Sequence, residues 1–212
     1  MNDTDLQIRL LAPADAAAYR AIRLSGLKDT PEAFGSTFDA EAAKPLAWFF
    51  ARVTASHIFG ALRGCEILGV AGFAVRDGEK EAHKGLLWGM YVRREARGTG
   101  LARRLVETVI DFARPRVELI QLSVVVGNEP ARRLYARLGF VEYGIEKNSL
   151  KSAGRYYDEI LMAKQLSPVA DPRGPSPSAW SALASPGPDQ RLPAQWPTDL
   201  PKGGKRASLS AG

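Results

Sequence analysis

Residues 87–102 read LWGMYVRREARGTGLA, in which an apolar strand leads through a glycine-rich turn into the start of a helix. Gly98 and Gly100 let the backbone turn tightly, so that successive N–H groups converge on one point. The first amides of the following helix lack partners within that helix, and its dipole adds positive potential at the same place. The stretch therefore predicts a phosphate-binding cradle over residues 97–102, flanked by arginine side chains.

Two better-known phosphate motifs do not fit this turn. A P-loop needs Gly-x-x-x-x-Gly-Lys-Ser/Thr, and no Lys-Ser/Thr pair follows the glycines. A dinucleotide-binding fingerprint needs a small residue three positions after its second glycine, where this chain has Arg103. Because a short Gly-x-Gly turn also occurs without any ligand, the assignment needs support from elsewhere in the chain.

A second motif lies downstream, where residues 123–128 read SVVVGN and residues 131–140 read ARRLYARLGF. Together the two stretches resemble motifs A and B of the GNAT N-acetyltransferase superfamily. The first matches the signature Arg/Gln-x-x-Gly-x-Gly/Ala through Arg97, Gly100 and Ala102. The second has the expected Asn, a Tyr seven residues later and a Leu-Gly-Phe ending. Two motifs in the right order and spacing are more specific than either alone.

The resemblance implies how acetyl-CoA, the acyl donor, is held. The strand that ends at Val92 is expected to diverge from the strand over residues 122–126. The pantetheine arm would lie between them, bonded to main-chain groups of Met90 and Val92. A backbone N–H near Met90 would polarise the thioester carbonyl, and the cradle would hold the pyrophosphate. The residues expected to bind this co-substrate are Met90, Tyr91, Val92, Arg97, Gly98, Thr99, Gly100, Leu101, Ala102 and Asn128.

The same resemblance implies that Tyr135 protonates the departing CoA thiolate as a general acid. Tyr135 also stands at helical spacing from Leu138, so it can instead be a core residue with its hydroxyl at the rim of the site. Asn128 can cap the helix that follows it, with or without a second contact to pantetheine. The motif match favours the acid role for Tyr135.

No general base is assigned from the sequence. Several members of the superfamily carry Glu five residues before this Asn, whereas the chain has Ser123 there, which cannot act as a base. Deprotonation relayed by water is one alternative. Carboxylates in predicted loops or turns are another, although each also fits a solvated surface group; they are Glu32, Glu41, Glu79 and Glu81.

Hydrophobic periodicity over residues 1–167 gives the element order βααβββαβαββ. This order predicts a mixed sheet in an α+β domain. The resemblance implies that the sheet is GNAT-like and mostly antiparallel, with splayed central strands flanked by helices. The resemblance covers residues 8–166 of this domain. Expected strands cover residues 7–11, 57–62, 67–75, 86–93, 119–126, 140–145 and 156–164, and expected helices cover residues 13–27, 45–54, 99–114 and 129–138.

Residues 168–212 differ sharply in composition from the preceding chain. They hold nine of the fourteen prolines, together with many Ser, Gly and Ala residues and little apolar periodicity. Such a Pro/Ser/Gly-rich segment cannot bury enough surface to offset its chain entropy, so we predict a disordered tail. Trp180 and Trp196 within it are either incidental or part of a docking peptide.

The composition excludes several classes of protein. Cys65 is the single cysteine, which rules out an intramolecular disulfide, and two scattered histidines give no recognisable metal site. No apolar stretch of about 18 residues exists, and the first residues, MNDTDLQIRL, lack the layout of a signal peptide. We therefore expect a cytoplasmic protein with no membrane partner. The net charge of +6 is modest and the most basic run, residues 93–104, is broken by glycines, which argues against nucleic-acid binding.

The sequence thus predicts an N-acetyltransferase that moves the acetyl group of acetyl-CoA to a primary amine by direct attack in a ternary complex, without a metal. The acceptor is left open between a small-molecule amine and a protein or peptide amine. The alternative is a non-catalytic acyl-CoA-binding regulatory module, which Ser123 favours, and exposed sheet edges are compatible with a homodimer. Eight aromatic residues either line the acceptor site or belong to the core: Phe34, Phe38, Trp48, Phe49, Phe50, Tyr143, Tyr156 and Tyr157.

Overall fold

One seven-stranded sheet organises residues 6–166, the part of the chain that this computed structural model describes. Its strands are β1 (Leu6–Leu10), β2 (His57–Arg63), β3 (Glu66–Val75), β4 (Lys84–Val92), β5 (Leu119–Val125), β6 (Val141–Ser152) and β7 (Arg155–Gln165). The helices are α1 (Ala16–Asp29), α2 (Phe38–Ala42), α3 (Leu46–Ala55), α4 (Leu101–Ala113) and α5 (Glu129–Arg137). The strand order is β1-β2-β3-β4-β5-β7-β6, and every neighbouring pair is antiparallel except β4 and β5.

The predicted fold class is confirmed, with one correction to the order of elements. A short additional helix, α2, lies between the first two predicted helices, where the predicted order has no element. Thr37 caps it, because its hydroxyl accepts a hydrogen bond from the Ala40 amide at 3.3 Å. Strand β6 also runs seven residues beyond its predicted end at residue 145. The predicted tail over residues 168–212 lies outside the described residues.

Two apolar layers hold the helices against the two faces of the sheet. On one face α4 buries a stripe with helical spacing that includes Leu105, Val106 and Val109, all fully buried. On the other face α1 and α3 bury Tyr19 and Phe49. Burial of each such side chain contributes about 1.5–3 kcal/mol. The two layers therefore fix the positions of the helix N-termini relative to the ends of the strands.

Strand β4 contains a bulge at Gly89. Trp88 pairs with Gly72 and Tyr91 pairs with Val70, so β4 has one residue more than β3 over this stretch. Gly89 has a φ of +62°, which few residues other than glycine adopt. A glycine inside a strand often marks such a bulge. Its effect is to turn Trp88 and Tyr91 toward the same face, where both contact the α1–α3 layer.

Beyond Leu86 the parallel strands β4 and β5 no longer pair. The ladder joins Lys84 to Leu119 and ends where Leu86 pairs with Gln121. On its other side β4 stays paired with β3 as far as Val92. The splayed central strands that the motif resemblance implied are therefore present, and the opening between them positions the site.

Within residues 6–166, no helix combines the length and apolar character needed to cross a membrane. The same residues contain no group of three or more His, Cys, Asp or Glu side chains arranged to hold a metal ion. Cys65 lies exposed in the turn between β2 and β3.

Candidate active site

A cleft of about 460 Å³ opens where β4 and β5 separate. Its walls come from both strands, from the turn before α4, from α5, and from Phe34 in the segment after α1. Thr99 does not line the cleft, and its hydroxyl instead donates to the Ala96 carbonyl at 2.8 Å. The other ten predicted site residues do line it: Met90, Tyr91, Val92, Arg97, Gly98, Gly100, Leu101, Ala102, Asn128 and Tyr135.

The turn predicted as a phosphate cradle has the conformation that its glycines allow. Gly98 and Gly100 have φ values of +77° and +83°, and Gly100 is the N-cap of α4. A Cβ built on either glycine would meet no other atom within 4 Å, so the turn faces open space. Free amides at a helix N-terminus suit the oxygen atoms of a diphosphate, and the turn therefore fits the group that the motif implies.

Arg97 is tied to the end of β4. Its Nε donates to the Val92 carbonyl at 3.0 Å, and its guanidinium lies 5.7 Å from the centre of the Tyr91 ring. The Tyr91 hydroxyl in turn donates to Asp29 at 2.8 Å, and this hydrogen bond is the main cause that lowers the pKa of the Asp29 carboxyl. These contacts stiffen the edge of the cleft. The hydrogen bond from Arg97 also uses one of the two acceptor positions of the Val92 carbonyl oxygen, a main-chain group that is expected to bond pantetheine.

Asn128 caps α5, which is one of the two roles considered for it from the sequence. Its Oδ1 accepts a hydrogen bond from the Ala131 amide at 3.3 Å. The residue lines the cleft as well, at the end of β5. Because the cap uses the oxygen of the side chain, the amide NH₂ is left for a contact with a molecule in the cleft.

Tyr135 combines a buried ring with a place in the wall of the cleft. The residue is 5% exposed, and its ring packs edge-on against Phe140 with ring centres 5.7 Å apart. Burial raises the pKa of the Tyr135 phenol well above its ordinary value of about 10. The hydroxyl therefore stays protonated at neutral pH and can donate a proton or a hydrogen bond into the cleft.

An acidic group that the sequence did not reveal lies beside Ser123. The Ser123 hydroxyl donates to Oε1 of Glu159 at 2.6 Å, and the Ser149 hydroxyl donates to Oε2 at 2.6 Å. Glu159 belongs to β7, directly opposite Val125 of β5. Only the register between these two strands brings the carboxylate to Ser123, and no local motif encodes that register.

The four carboxylates considered as bases from the sequence lie in different surroundings. Glu41 is not a solvated surface group, because it is 4% exposed and bound to Arg23 on α1. Glu79 is exposed in the turn before β4, and Glu81 in the same turn forms an ion pair with Lys84 at 3.3 Å. Glu32 is half-buried in the segment after α1. Of the four, none lines the cleft.

Of the eight aromatic residues considered for the acceptor site, only Phe34 lines the cleft. Phe49 is fully buried in the core, and Trp48 packs against the same layer. Phe38, Phe50 and Tyr156 are exposed. Phe34 lines the cleft, whereas Tyr143 accepts a hydrogen bond from Gln121 on the face that carries Ser123. Burial raises the pKa of Tyr143 to about 12.

Diverging parallel strands beside a glycine cradle at a helix start define the architecture of an acyl-CoA-dependent N-acetyltransferase. The family model described as the Acetyltransferase (GNAT) family matches residues 24–140, and the chain belongs to this family. The membership predicted from the two motifs is confirmed, and the protein is an enzyme of acetyl transfer.

Three relatives illustrate the similarity. An L-methionine sulfoximine/L-methionine sulfone acetyltransferase of Pseudomonas paraeruginosa is 28% identical over 167 residues, which cover 76% of this chain and 95% of that protein. The solved ribosomal-protein-alanine N-acetyltransferase of Brucella melitensis is 28% identical with a TM-score of 0.65, covering 76% of this chain and 99% of that one. The protein yncA of Salmonella typhimurium, solved with its cofactor acetyl-CoA, is 25% identical with a TM-score of 0.66, covering 79% of this chain and 97% of that one.

Proposed function

We propose that the enzyme transfers the acetyl group of acetyl-CoA to a primary amine by direct attack in a ternary complex. The observation that carries this proposal is the end of the β4–β5 ladder at Leu86 and Gln121, beyond which the two strands border a cleft that reaches the glycine cradle. An extended pantetheine arm fits the unpaired edge of β4 as an added strand would. Binding of both substrates in one cleft turns the attack into an effectively unimolecular step.

Each part of the cleft has a distinct job in this proposal. The amides of residues 98–102 hold the diphosphate at the start of α4, where the helix dipole stabilises negative charge. The main chain at Met90 polarises the acetyl carbonyl, a role that is worth several kcal/mol in comparable sites. Tyr135 supplies the proton that the departing sulfur needs.

We place the acceptor among small-molecule amines that also carry a carboxylate, with a peptide amine as the second candidate. Arg23 donates from Nε and Nη2 to Glu41, and its Nη1 lies 3.9 Å from the point where a Cβ on Gly89 would stand. A carboxylate at the bulge can therefore accept a charge-assisted hydrogen bond from Nη1. The Pseudomonas relative is named for amino-acid acceptors of this kind. The cytoplasmic location and the homodimer stay predictions.

Thiol release from acetyl-CoA tests the proposal with a panel of amines. We expect turnover with L-methionine sulfoximine or another amino acid to exceed turnover with a peptide that begins with alanine. Turnover with the peptide and with none of the amino acids would mean that the acceptor is a peptide amine. Silence across the whole panel, together with no binding of coenzyme A in calorimetry, would contradict acetyl transfer by this cleft.

Replacement of Gly100 by valine is expected to weaken coenzyme A binding by tenfold or more. A β-branched residue at a φ of +83° is strained by about 1–2 kcal/mol, and relief of that strain moves the amides out of the cradle. The dissociation constant is measured by calorimetry.

Gly78→Val is the matched control for this substitution. Gly78 has a φ of +99° and equally open surroundings, but it lies in the turn between β3 and β4. The control should lower the melting temperature without changing coenzyme A affinity. Equal affinities for the two variants would mean that the turn does not bind the diphosphate.

A further inference from the structure

We propose that Glu159 is the general base of the reaction, acting on the acceptor amine beside Ser123. This inference rests on the proposed direct attack by a primary amine. Ser123 occupies the place where several other members of the superfamily carry a glutamate. In the structure a carboxylate from another strand, that of Glu159 on β7, lies beside this position. The distance from Ser123 Oγ to Glu159 Oε1 is 2.6 Å.

The sheet register puts this pair at the reacting end of the cleft. Leu86 pairs with Gln121 at the end of the parallel ladder, so Trp88 on β4 and Ser123 on β5 each lie two residues beyond the last pair, one on either side of the opening. The bulge at Gly89 and the main chain of Met90 follow at once on β4, and Trp88, Met90 and Ser123 all line the cleft. An amine that approaches the acetyl carbonyl near Met90 therefore passes Ser123.

Glu159 points to the same side of the sheet as Ser123. It lies directly opposite Val125, and side chains two residues apart on a strand share a face. Ser123 lines the cleft and Glu159, which is half-buried, does not, so the Ser123 hydroxyl is the link between the cleft and the carboxylate. Ser123 and Ser149 fix both of its oxygens with hydroxyl donors.

The proton movements balance around these groups. The acceptor ammonium gives one proton to Glu159 through the Ser123 hydroxyl, which passes its own hydrogen to Oε1 as it takes one from nitrogen. The freed nitrogen lone pair forms the C–N bond to the acetyl carbon. The C–S bond then breaks, the sulfur takes the Tyr135 proton, and the nitrogen loses a second proton as it becomes an amide. Tyr135 recovers that proton, and one proton reaches solvent from Glu159.

The charges around Glu159 favour a cationic acceptor. Glu146 lies directly opposite it on β6, and its Oε2 is buried without a hydrogen-bond partner in the described structure. Two carboxylates on one face attract an ammonium group. Tyr157 and Arg155 share this face because they lie two and four residues from Glu159 on β7, with the Arg155 guanidinium 5.4 Å from the centre of the Tyr157 ring. Tyr143 on β6 also lies here, in electrostatic interaction with Glu146 and Arg76, and Glu32 comes from the segment that packs on β5 and β6.

Glu159→Gln tests the inference with the amine that gives the highest turnover in the panel. Glutamine keeps an oxygen that can accept from Ser123, so the melting temperature should stay near that of the wild type. We expect kcat at pH 7 to fall at least tenfold with an unchanged dissociation constant for coenzyme A. The rate of the variant should rise about tenfold per pH unit toward the pKa of the amine, because the free amine no longer needs a base.

Two further variants keep the test decisive. Glu79→Gln removes an exposed carboxylate from a distant turn and should leave kcat and its pH dependence unchanged. Ser123→Glu added to Glu159→Gln restores a carboxylate at the family position and should recover activity, which it could not do if Glu159→Gln had lost activity only because it folds poorly. A Glu159→Gln variant with wild-type kcat and pH profile, or a double variant that recovers nothing, would overturn the role of Glu159. A wild-type enzyme that acetylates no amine of the panel would instead overturn the proposed function, and the base with it.

Discussion

Replacement of Tyr135 by phenylalanine is expected to lower kcat by about a hundredfold or more, which is the range for loss of a general acid. The phenol is the part of the side chain that the substitution removes, while the ring stays packed against Phe140. Since the glycine cradle is untouched, the dissociation constant of coenzyme A should not change. Release of free thiol gives kcat, and calorimetry gives the affinity.

Tyr19→Phe is the matched control for Tyr135→Phe. Tyr19 is also fully buried, but it lies in the α1–α3 layer, and its hydroxyl accepts a hydrogen bond from Arg52 at 3.3 Å. This variant should lose some stability and keep its kcat. If Tyr135→Phe turns over acetyl-CoA as fast as Tyr19→Phe, the hydroxyl has no part in the chemistry and Tyr135 is a core residue at the rim.

The pH dependence of kcat gives a second measure of Tyr135. Burial raises the pKa of its phenol, so the acid form persists to higher pH than in a free tyrosine. The wild-type enzyme should therefore show no loss of kcat from tyrosine ionisation below about pH 10. A decline in kcat that begins near neutral pH and vanishes in Tyr135→Phe would contradict the buried, protonated phenol.

The features that the sequence predicted correctly are those encoded by neighbouring residues. A glycine turn such as Gly98 to Gly100 specifies its own backbone conformation, because side chains exclude positive φ. The amphipathic period of α4 likewise fixes which face is buried. Consequently the end of strand β4 and the conformation of the glycine turn follow from two short motifs, while the binding of acetyl-CoA by the residues that line the cleft stays a prediction.

The features that the sequence could not supply depend on contacts between distant residues. Ser123 and Glu159 meet because β7 lies between β5 and β6, an order that hydrophobic periodicity does not encode. Glu41 sits in a segment that looked like a polar loop, yet the helix α2 turns it onto Arg23. In both cases a carboxylate that resembles a surface group in the sequence has a partner on another element.

Removal of the Glu41 carboxylate, as in Glu41→Ala, is expected to lower the free energy of unfolding by about 3–5 kcal/mol. Arg23 and Glu41 are 7% and 4% exposed, and their side chains form two hydrogen bonds of 2.9 and 2.6 Å that join α1 to α2. The substitution leaves the buried guanidinium of Arg23 without its counter-ion. It also loosens the packing of Arg23 on Phe34, whose ring centre lies 4.9 Å from the guanidinium. Unfolding in urea measures the change.

The surface ion pair of Arg103 and Glu107 provides the comparison for that loss. Its atoms are as close as 2.8 Å, but both side chains are exposed, so Glu107→Ala should cost less than about 1 kcal/mol. A loss below 1 kcal/mol for Glu41→Ala as well would show that burial adds nothing to the inner pair.

The pH dependence of the unfolding free energy gives a second test of the Arg23–Glu41 pair. Burial alone would raise the pKa of Glu41, but the hydrogen bonds and charge of Arg23 outweigh it, and the pKa is lowered in the folded state. Stability from this group is therefore complete above its unfolded pKa of about 4.3 and is lost as pH falls through the lower folded value. The wild type should lose that increment in acid, whereas Glu41→Ala has none to lose, so the difference in unfolding free energy between them should shrink below about pH 4. A difference that stays constant down to pH 3 would mean that the carboxylate is not held ionised by Arg23.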